Sequence, residues 1–425
     1  MTPSESMTTG AFPFKQGGLE FHVPRRQRTW LWIVLVLGTA YLVINTLALP
    51  FRVVADGSEY LQMAQNLLSR HSFTYDGVNP VVGKPPGFPF LIAVYLKCFG
   101  SIQGFEFFLL LFMLGSFLLL TAAARQLLGP QWAVGHLALL VSIVPLSHLA
   151  GNLWSEPPFL FLNSIGMLAL INATESGNRW NWVIAGSAFG LATYFRSITL
   201  FWPFAIVLLA GVFCRNCWRR FLPVLMVHMI LVAPWIYRNW SQFKSVVPMV
   251  ANWAPLYYLT EGEMWKIYFY EGSGVVRSLP EHDAILGGEF QFNWNPNERF
   301  KAMAMQNIAR QPLGYVGRCV RQSLFAWTYL PGTKQMYRES PTVFFLGRII
   351  MLVFYALAVL GFLSMWKTEK AIAVILVGYA LYTAVVLFPV CTESRYLVSA
   401  YMWLLPLPFA GARLLIGRLH SRAGQ

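Results

Sequence analysis

The chain has 425 residues, of which 56% are hydrophobic and only 12% charged, and its mean hydropathy is +0.51. A soluble domain carries roughly twice that share of charge, so a soluble protein is excluded and an all-α polytopic membrane protein is expected. The formal net charge of +14 does not point to nucleic acid, because the basic residues sit mostly in short connections between apolar runs.

Residues 1–29 are polar and end in Arg25, Arg26 and Arg28. They read as a disordered cytoplasmic tail, and the span that follows lacks the small-residue cleavage site of a signal peptide. Residues 30–50 form the first expected span and run outward from that basic cluster. Residues 51–86 are then a first extracytoplasmic loop. Within it Tyr60, Leu61, Ala64, Leu67 and Leu68 share one face at helical spacing, opposite Gln62, Gln65, Asn66 and Ser69. That pattern suits a helix lying on the membrane surface.

The apolar run 87–99 is short for a crossing and reads as interfacial or re-entrant. Further spans are expected at 106–124, 132–149, 159–173, 182–195, 198–213 and 221–236. Residues 241–342 form a long extracytoplasmic region with a candidate helix at 298–309. A second stretch, 315–330, carries Arg318 and Arg321 and reads as interfacial. Spans at 343–366, 371–389 and 397–416 complete a bundle of roughly ten, with 30–417 as its domain and 418–425 as a cytoplasmic tail. The strongly basic short connections all fall on one side. The two long loops fall on the other, where function is expected.

Several polar groups at span ends have both a structural and a functional reading. Asp56 and Glu59 fit a variant capping box, or a general base with a helper. A low-dielectric setting would strengthen such a base. Glu156, ahead of two prolines, fits a helix start, or a second acid able to hold a divalent cation. Arg196 interrupts a long apolar stretch, either snorkelling at the surface or clamping a phosphate with its guanidinium fork. Arg395 could pair with Glu393 in its own turn or contact a phosphate. Arg238 is a surface anchor or a substrate contact. Lys84, before Pro85 and Pro86, faces head groups or a lipid phosphate. The five cysteines, Cys98, Cys214, Cys217, Cys319 and Cys391, include one C-x-x-C pair without a second pair or nearby histidines. His71, His136, His148, His228 and His282 share no metal-ligand spacing.

The acid after the first span, Lys84-Pro-Pro-Gly87, Ser155-Glu156, Phe195-Arg196, the stretch from Pro234 to Asn239 and Ser394-Arg395-Tyr396 occur in this order. Together they resemble the GT-C membrane glycosyltransferases related to glycosyltransferase family 39, over about residues 30–410. These include protein mannosyltransferases and aminoarabinose transferases. The resemblance implies a GT-C-like bundle that moves a hexose or pentose from a polyprenyl-phosphate carrier, with inversion. The acceptor would be an extracytoplasmic glycolipid, polysaccharide or protein. It implies Asp56 and Glu156 as catalytic acids. Lys84, Arg196 and Arg395 would hold the donor phosphate; Glu59, Arg238 and Tyr396 are added as substrate-binding candidates from their own positions, and Glu156 is the candidate ligand for a divalent cation, magnesium or manganese. The setting would be a bacterial inner membrane with the site facing the periplasm. Asp56-Gly-Ser-Glu59 departs from the Asp-Glu pair of the mannosyltransferases, so the acceptor does not carry over. A transporter or lipid-linked-sugar flippase without transferase activity is the rival reading.

Overall fold

The computed structural model describes residues 25–48, 51–53, 56–142, 149–213, 218–271, 273–328, 340–390 and 394–423. His148, Cys214, Cys217, Cys391, Glu393 and residues 1–24 lie outside them. Among the described residues the regular elements are helices, with three isolated backbone bridges and no named strand.

The chain opens with α1 (Arg25–Ala48), which begins inside the stretch read as tail. The amphipathic α2 (Asp56–Arg70) and the short α3 (Gly87–Phe99) pack on one another. Then come α4 (Phe105–Leu128), α5 (Pro130–Ser142), α6 (Glu156–Ser176), α7 (Arg179–Phe195), α8 (Trp202–Phe213) and α9 (Leu222–Phe243). A cluster of shorter helices follows: α10 (Ala254–Thr260), α11 (Gly262–Tyr270), α12 (Ser273–Arg277), α13 (Pro280–Leu286), α14 (Trp294–Arg310) and α15 (Pro312–Thr328). The chain closes with α16 (Pro341–Thr368), α17 (Lys370–Leu387), α18 (Val398–Leu404) and α19 (Pro406–Ala423).

Among the described residues, 6 helices are long and apolar enough to cross a membrane, and three more apolar helices are shorter. The protein is therefore a multi-pass membrane protein. Six of the ten expected spans coincide with these helices. The other four, at 30–50, 132–149, 182–195 and 198–213, fall on α1, α5, α7 and α8. Residues 87–99 form the 13-residue α3.

Two details correct the sequence reading. The buried stripe of α2 is Tyr60, Met63, Ala64 and Asn66, while Leu68 is exposed. Asn66 turns inward because its side-chain amide donates to the carbonyls of Thr74 and Tyr75 at 3.1 and 2.7 Å, closing the following loop onto the helix. The long region 241–342 also holds four short helices besides the two expected at 298–309 and 315–330. It folds around a core of its own, in which Tyr257, Tyr258, Leu259, Trp265, Phe269, Phe300 and Cys319 are buried. Its aromatic and aliphatic residues lie on several short helices, so no long periodic run announces that core.

The bundle has two unlike ends. At one end, Gln126 bonds Glu175 and Arg413 Nη1 donates to the Leu128 carbonyl at 3.3 Å. The lengths and directions of α7, α9, α16 and α17 put Arg179, Arg219, Arg220, Lys367 and Lys370 at this end. The other end carries the start of α2, the start of α6, the end of α7 and the α10–α15 cluster.

Helices α16 and α19 cross closely, with Gly361 and Gly411 facing one another. A Cβ on Gly361 would run into the Leu407 carbonyl oxygen, and one on Gly411 into that of Leu357. Small residues permit such backbone approach where lipid offers no hydrophobic drive for association. Backbone cannot rotate aside as a side chain can. Gly361→Leu should therefore destabilise the protein by at least about 3 kcal/mol, the upper range for overpacking, and should lower the thermal unfolding midpoint in detergent. An unchanged midpoint would show that the helices part without cost.

Candidate active site

Six chain segments deliver charged side chains to one cavity. Asp56 and Glu59 lie in the first turn of α2, where the helix dipole favours acids. Lys84 precedes α3, and Glu156 stands in the first turn of α6 ahead of Pro157 and Pro158. Arg196 caps α7, Arg277 ends α12, and Arg395 lies in the 3-10 turn Ser394–Leu397.

Lys84 is placed by backbone. The amides of Val82 and Gly83 both donate to the Phe292 carbonyl, at 2.9 and 3.0 Å, and Ala251 donates to the Val82 carbonyl at 2.9 Å. Beyond the two prolines, Gly87 lets the start of α3 sit against the end of α7. A Cβ there would stand 2.7 Å from the Tyr194 carbonyl oxygen. The Lys-Pro-Pro-Gly motif is thus a stiff arm pinned at both ends, with Lys84 between the pins.

The charges form a row of alternating sign. Arg277 Nη1 meets Glu59 Oε1 at 3.2 Å, and Glu59 Oε2 meets Lys84 Nζ at 2.9 Å. Lys84 Nζ donates to Asp56 Oδ1 at 2.8 Å, and Arg395 Nη2 donates to Asp56 Oδ2 at 3.0 Å. Arg395 Nη1 lies 3.5 Å from Glu156 Oε1, which Arg196 Nη1 approaches to 2.6 Å. Arg277 Nη2 also lies 3.7 Å from Asp56 Oδ1. The side chains of Lys84 and Glu156 are only 7% and 4% exposed, so these pairs are poorly screened by solvent.

Aromatic rings flank the row. Lys84 Nζ lies 4.4 Å from the Phe292 ring centre and 4.8 Å from that of Tyr60. Arg196 stacks over Tyr396 at 4.5 Å, and Arg395 over Trp154 at 5.0 Å. Such contacts keep guanidinium and ammonium groups oriented without neutralising them.

The charges tune one another. Burial alone would raise the Asp56 carboxyl, but Lys84, Arg395 and Arg277 outweigh it and hold Asp56 well below the usual carboxylate range. Burial would lower Lys84, yet Asp56 and Glu59 raise it. Arg277 is raised in the same way, with Glu59 and Asp56 overcoming its burial. Asp56, Lys84 and Arg277 are therefore charged at neutral pH.

The cavity beside this row has a volume of about 390 Å³. Asp56, Lys84, Glu156, Arg196, Arg277, Arg395 and Tyr396 line it, with walls from Trp154, Trp253, Phe292 and Leu387. Of the residues singled out in the sequence, Asp56, Glu59, Lys84, Glu156, Arg196, Arg395 and Tyr396 meet here. Arg238 does not. Its guanidinium donates to the Val81 carbonyl and to Asn239 Oδ1 at 3.2 and 2.9 Å, and it packs on Trp235, Phe73 and Phe243. It braces the segment that leads to Lys84, behind the cavity wall. Arg277 was missed by sequence reasoning. It sits in a short helix within an aromatic-rich region, with no motif to mark it.

Residues 83–238 match the family model described as dolichyl-phosphate-mannose-protein mannosyltransferase. No curated protein matches the chain. Among solved structures, the fold is similar to the archaeal oligosaccharyltransferase AglB from Archaeoglobus fulgidus, solved with an inhibitory peptide and a dolichol-phosphate. That likeness has a TM-score of 0.53 and 11% identity over 94% of this chain and 52% of AglB. A second AglB structure, tethered to an acceptor peptide, gives 0.54 and 12% over 93% and 50%. The chain thus spans about half the length of AglB. ArnT from Cupriavidus metallidurans, bound to undecaprenyl phosphate, is 14% identical over 91% of this chain and 77% of its own, at a TM-score of 0.43. The fold is that of the GT-C membrane enzymes. The chain is a polytopic membrane protein with the GT-C fold, similar over residues 83–238 to that mannosyltransferase family.

Removing one member of a buried ion pair leaves the other without compensation. Lys84→Met should therefore cost about 3–5 kcal/mol of stability, read as a lower unfolding midpoint in detergent. If Lys84→Met unfolds at the wild-type midpoint, the row does not hold these segments together.

Proposed function

We propose that this protein transfers a monosaccharide from a polyprenyl-phosphate carrier to a hydroxyl acceptor at the membrane face that its cavity opens on. The observation that carries this reading is the alternating row of four cations and three carboxylates in a half-enclosed cavity at one end of an apolar bundle. A lipid phosphate can reach such a place from the bilayer, and guanidinium forks suit its oxygens. The dolichol-phosphate bound to AglB makes that chemistry the class to test first. The domain is residues 30–417, and its two long loops build the cavity together with the start of α6, the end of α7 and the turn at Ser394–Leu397. The basic connections at the far end orient the bundle with that end in the cytoplasm, so the cavity faces the periplasm or exterior.

In the reaction, Lys84, Arg277 and Arg395 would hold the donor phosphate and stabilise the charge that develops on it as the anomeric bond breaks. Asp56 would orient the acceptor hydroxyl and take its proton during a single inverting displacement. Its three cations make Asp56 a weak base in the resting row, but they also keep it ionised. As the leaving phosphate gains charge it draws those cations, and the affinity of Asp56 for a proton rises. Glu156, with Tyr396 stacked beneath its partner Arg196, would fix the far side of the cavity rather than touch the reacting bond.

The divalent cation expected at Glu156 fits poorly. Its Oε1 already meets two guanidiniums, at 2.6 and 3.5 Å. Among the described residues no group of three or more histidine, cysteine, aspartate or glutamate side chains could hold a metal ion. A transporter or flippase would need its charged groups near mid-membrane on broken helices, whereas this charged row gathers at one end of the bundle.

Asp56→Asn should lower transfer to membrane acceptors by about 10²–10⁴-fold, the range for general-base loss, at normal protein levels. Unchanged transfer would sink the base assignment, and unchanged envelope glycolipids and glycoproteins on deletion would sink the transferase reading. The pH dependence has a definite sign. The ionised, active Asp56 persists above its depressed pKa and is lost as pH falls through it. Arg395→Met removes one depressing charge, so the acid limb of the rate profile should move to higher pH; an unmoved limb would mean that another group sets it.

A further inference from the structure

The basic end of the bundle, opposite the charged row, holds a second cavity of about 540 Å³. That volume falls among small-molecule sites, which span about 300–1,000 Å³. Three helices that run to this end enclose it: Leu128 closes α4, Ser364 and Thr368 lie in the last turns of α16, and Arg413 and Arg418 lie on α19. Glu369, directly after α16, completes the rim. The close crossing of α16 and α19 at Gly361 and Gly411 explains the opening. Helices that touch at one point diverge beyond it, and the lining residues of both stand within about two turns past that point.

Two opposite charges face this cavity without meeting each other. Arg413 Nη1 donates to the Leu128 carbonyl at 3.3 Å, one of the carbonyls that a helix end leaves without an intrahelical partner. Glu369 is within electrostatic reach of Arg413. Among the described residues, however, its carboxyl forms no ion pair and no hydrogen bond. The adjacent Lys370 is turned away, with Nζ 4.7 Å from the Trp366 ring centre. Partial burial and then Glu175 raise Glu369 above its ordinary value, against the pull of Arg413. Gln126, which bonds Glu175, is neutral and does not offset that repulsion. The C-terminal end of α16 adds the negative pole of a helix dipole. One side of the rim therefore favours a cation and the other an anion, and a ligand carrying both charges satisfies both.

We propose that this cavity binds the headgroup of phosphatidylethanolamine, with its phosphate on Arg413, its ammonium on Glu369 and its acyl chains along α16 and α19. The guanidinium fork suits phosphate oxygens, and basic pockets between helices at a membrane face take lipid phosphates. Val359 and Leu363 on α16, with Leu415 and Ile416 on α19, are exposed beside the lining residues and give the acyl chains an apolar surface. The acid next to the arginine selects an ammonium-bearing headgroup over phosphatidylglycerol, whose glycerol brings no charge to Glu369. The bound lipid bridges α4, α16 and α19 where the crossing lets them part. No residue of the charged row takes part, so this site stands apart from the transferase reading.

The test uses the full chain, delipidated in detergent and titrated with dioleoylphosphatidylethanolamine or dioleoylphosphatidylglycerol, with the first bound lipid counted by native mass spectrometry. The wild type should hold the ethanolamine lipid about two- to fivefold more tightly, the worth of one partly exposed ion pair. Glu369→Gln should abolish that preference, and Glu369→Lys should reverse it towards phosphatidylglycerol. Arg413→Gln should weaken both lipids alike by a similar factor. Glu369 stands in an exposed connection, so its variants keep the test open if Arg413→Gln does not fold. The ethanolamine lipid should also raise the thermal unfolding midpoint more than the glycerol lipid does. No preference in the wild type, a preference that survives Glu369→Gln, or undiminished binding by Arg413→Gln would overturn the proposal. Glycerophosphoethanolamine, the same headgroup without acyl chains, should bind far more weakly. Equal binding would put a soluble ligand in the cavity and overturn the lipid assignment.

Discussion

A buried row of ion pairs, alternating in sign from Arg277 to Arg196, is the interaction on which the cavity end of this protein depends. Charges withdrawn from water are costly, and a buried pair contributes little net stability relative to apolar packing. The cost of breaking one is large, however, because the partner is left uncompensated. That asymmetry makes the row a lock. Asp56 and Arg395 stand 339 residues apart in sequence and meet at 3.0 Å. Glu59 and Arg277 are 218 apart and meet at 3.2 Å. A displacement of any one segment would leave charges on several others unpaired.

The rest of the fold serves to bring those segments within reach. In the bundle, backbone approach at Gly361 and Gly411 sets how closely α16 and α19 cross. At the cavity end, Gly87 and the Phe292 carbonyl fix the arm that carries Lys84. The α10–α15 cluster has its own aromatic core and can therefore hold Arg277 and Phe292 against the row. Aromatic faces from Tyr60, Trp154, Phe292 and Tyr396 orient the cations without cancelling their charge. This is the condition for keeping an attractive potential toward an anion inside a low-dielectric wall.

The same arrangement reconciles two demands on Asp56. A base should hold a proton well, and a structural carboxylate among three cations holds one badly. Both can be true of one group if the cations change partner during the reaction. In that case the weak resting basicity of Asp56 is a measure of how strongly its cations are available to a phosphate. Arg238 shows the contrast. It too carries a guanidinium, but its Nη1 donates to the backbone carbonyl of residue 81 and to Asn239 Oδ1. It holds the structure and has no such exchange to make.

The membrane class, the approximate helices and the basic asymmetry of the two ends were legible in the sequence, and seven of the eight side chains singled out there meet at the charged row. Each of these rests on local signals: apolar run length, the position of charges at helix ends, and prolines that stop or start a helix. The misreadings come from contacts between distant segments. Asn66 is buried because a loop supplies carbonyls to it, and Arg238 is withdrawn because a backbone carbonyl claims it. Arg277 joins the site because a small core, spread over several short helices, carries it there. Hydropathy alone confines the acids and bases to the ends of membrane helices. Which acid meets which base is set by the packing of distant segments, because pairing depends on distances between stretches that share no sequence proximity.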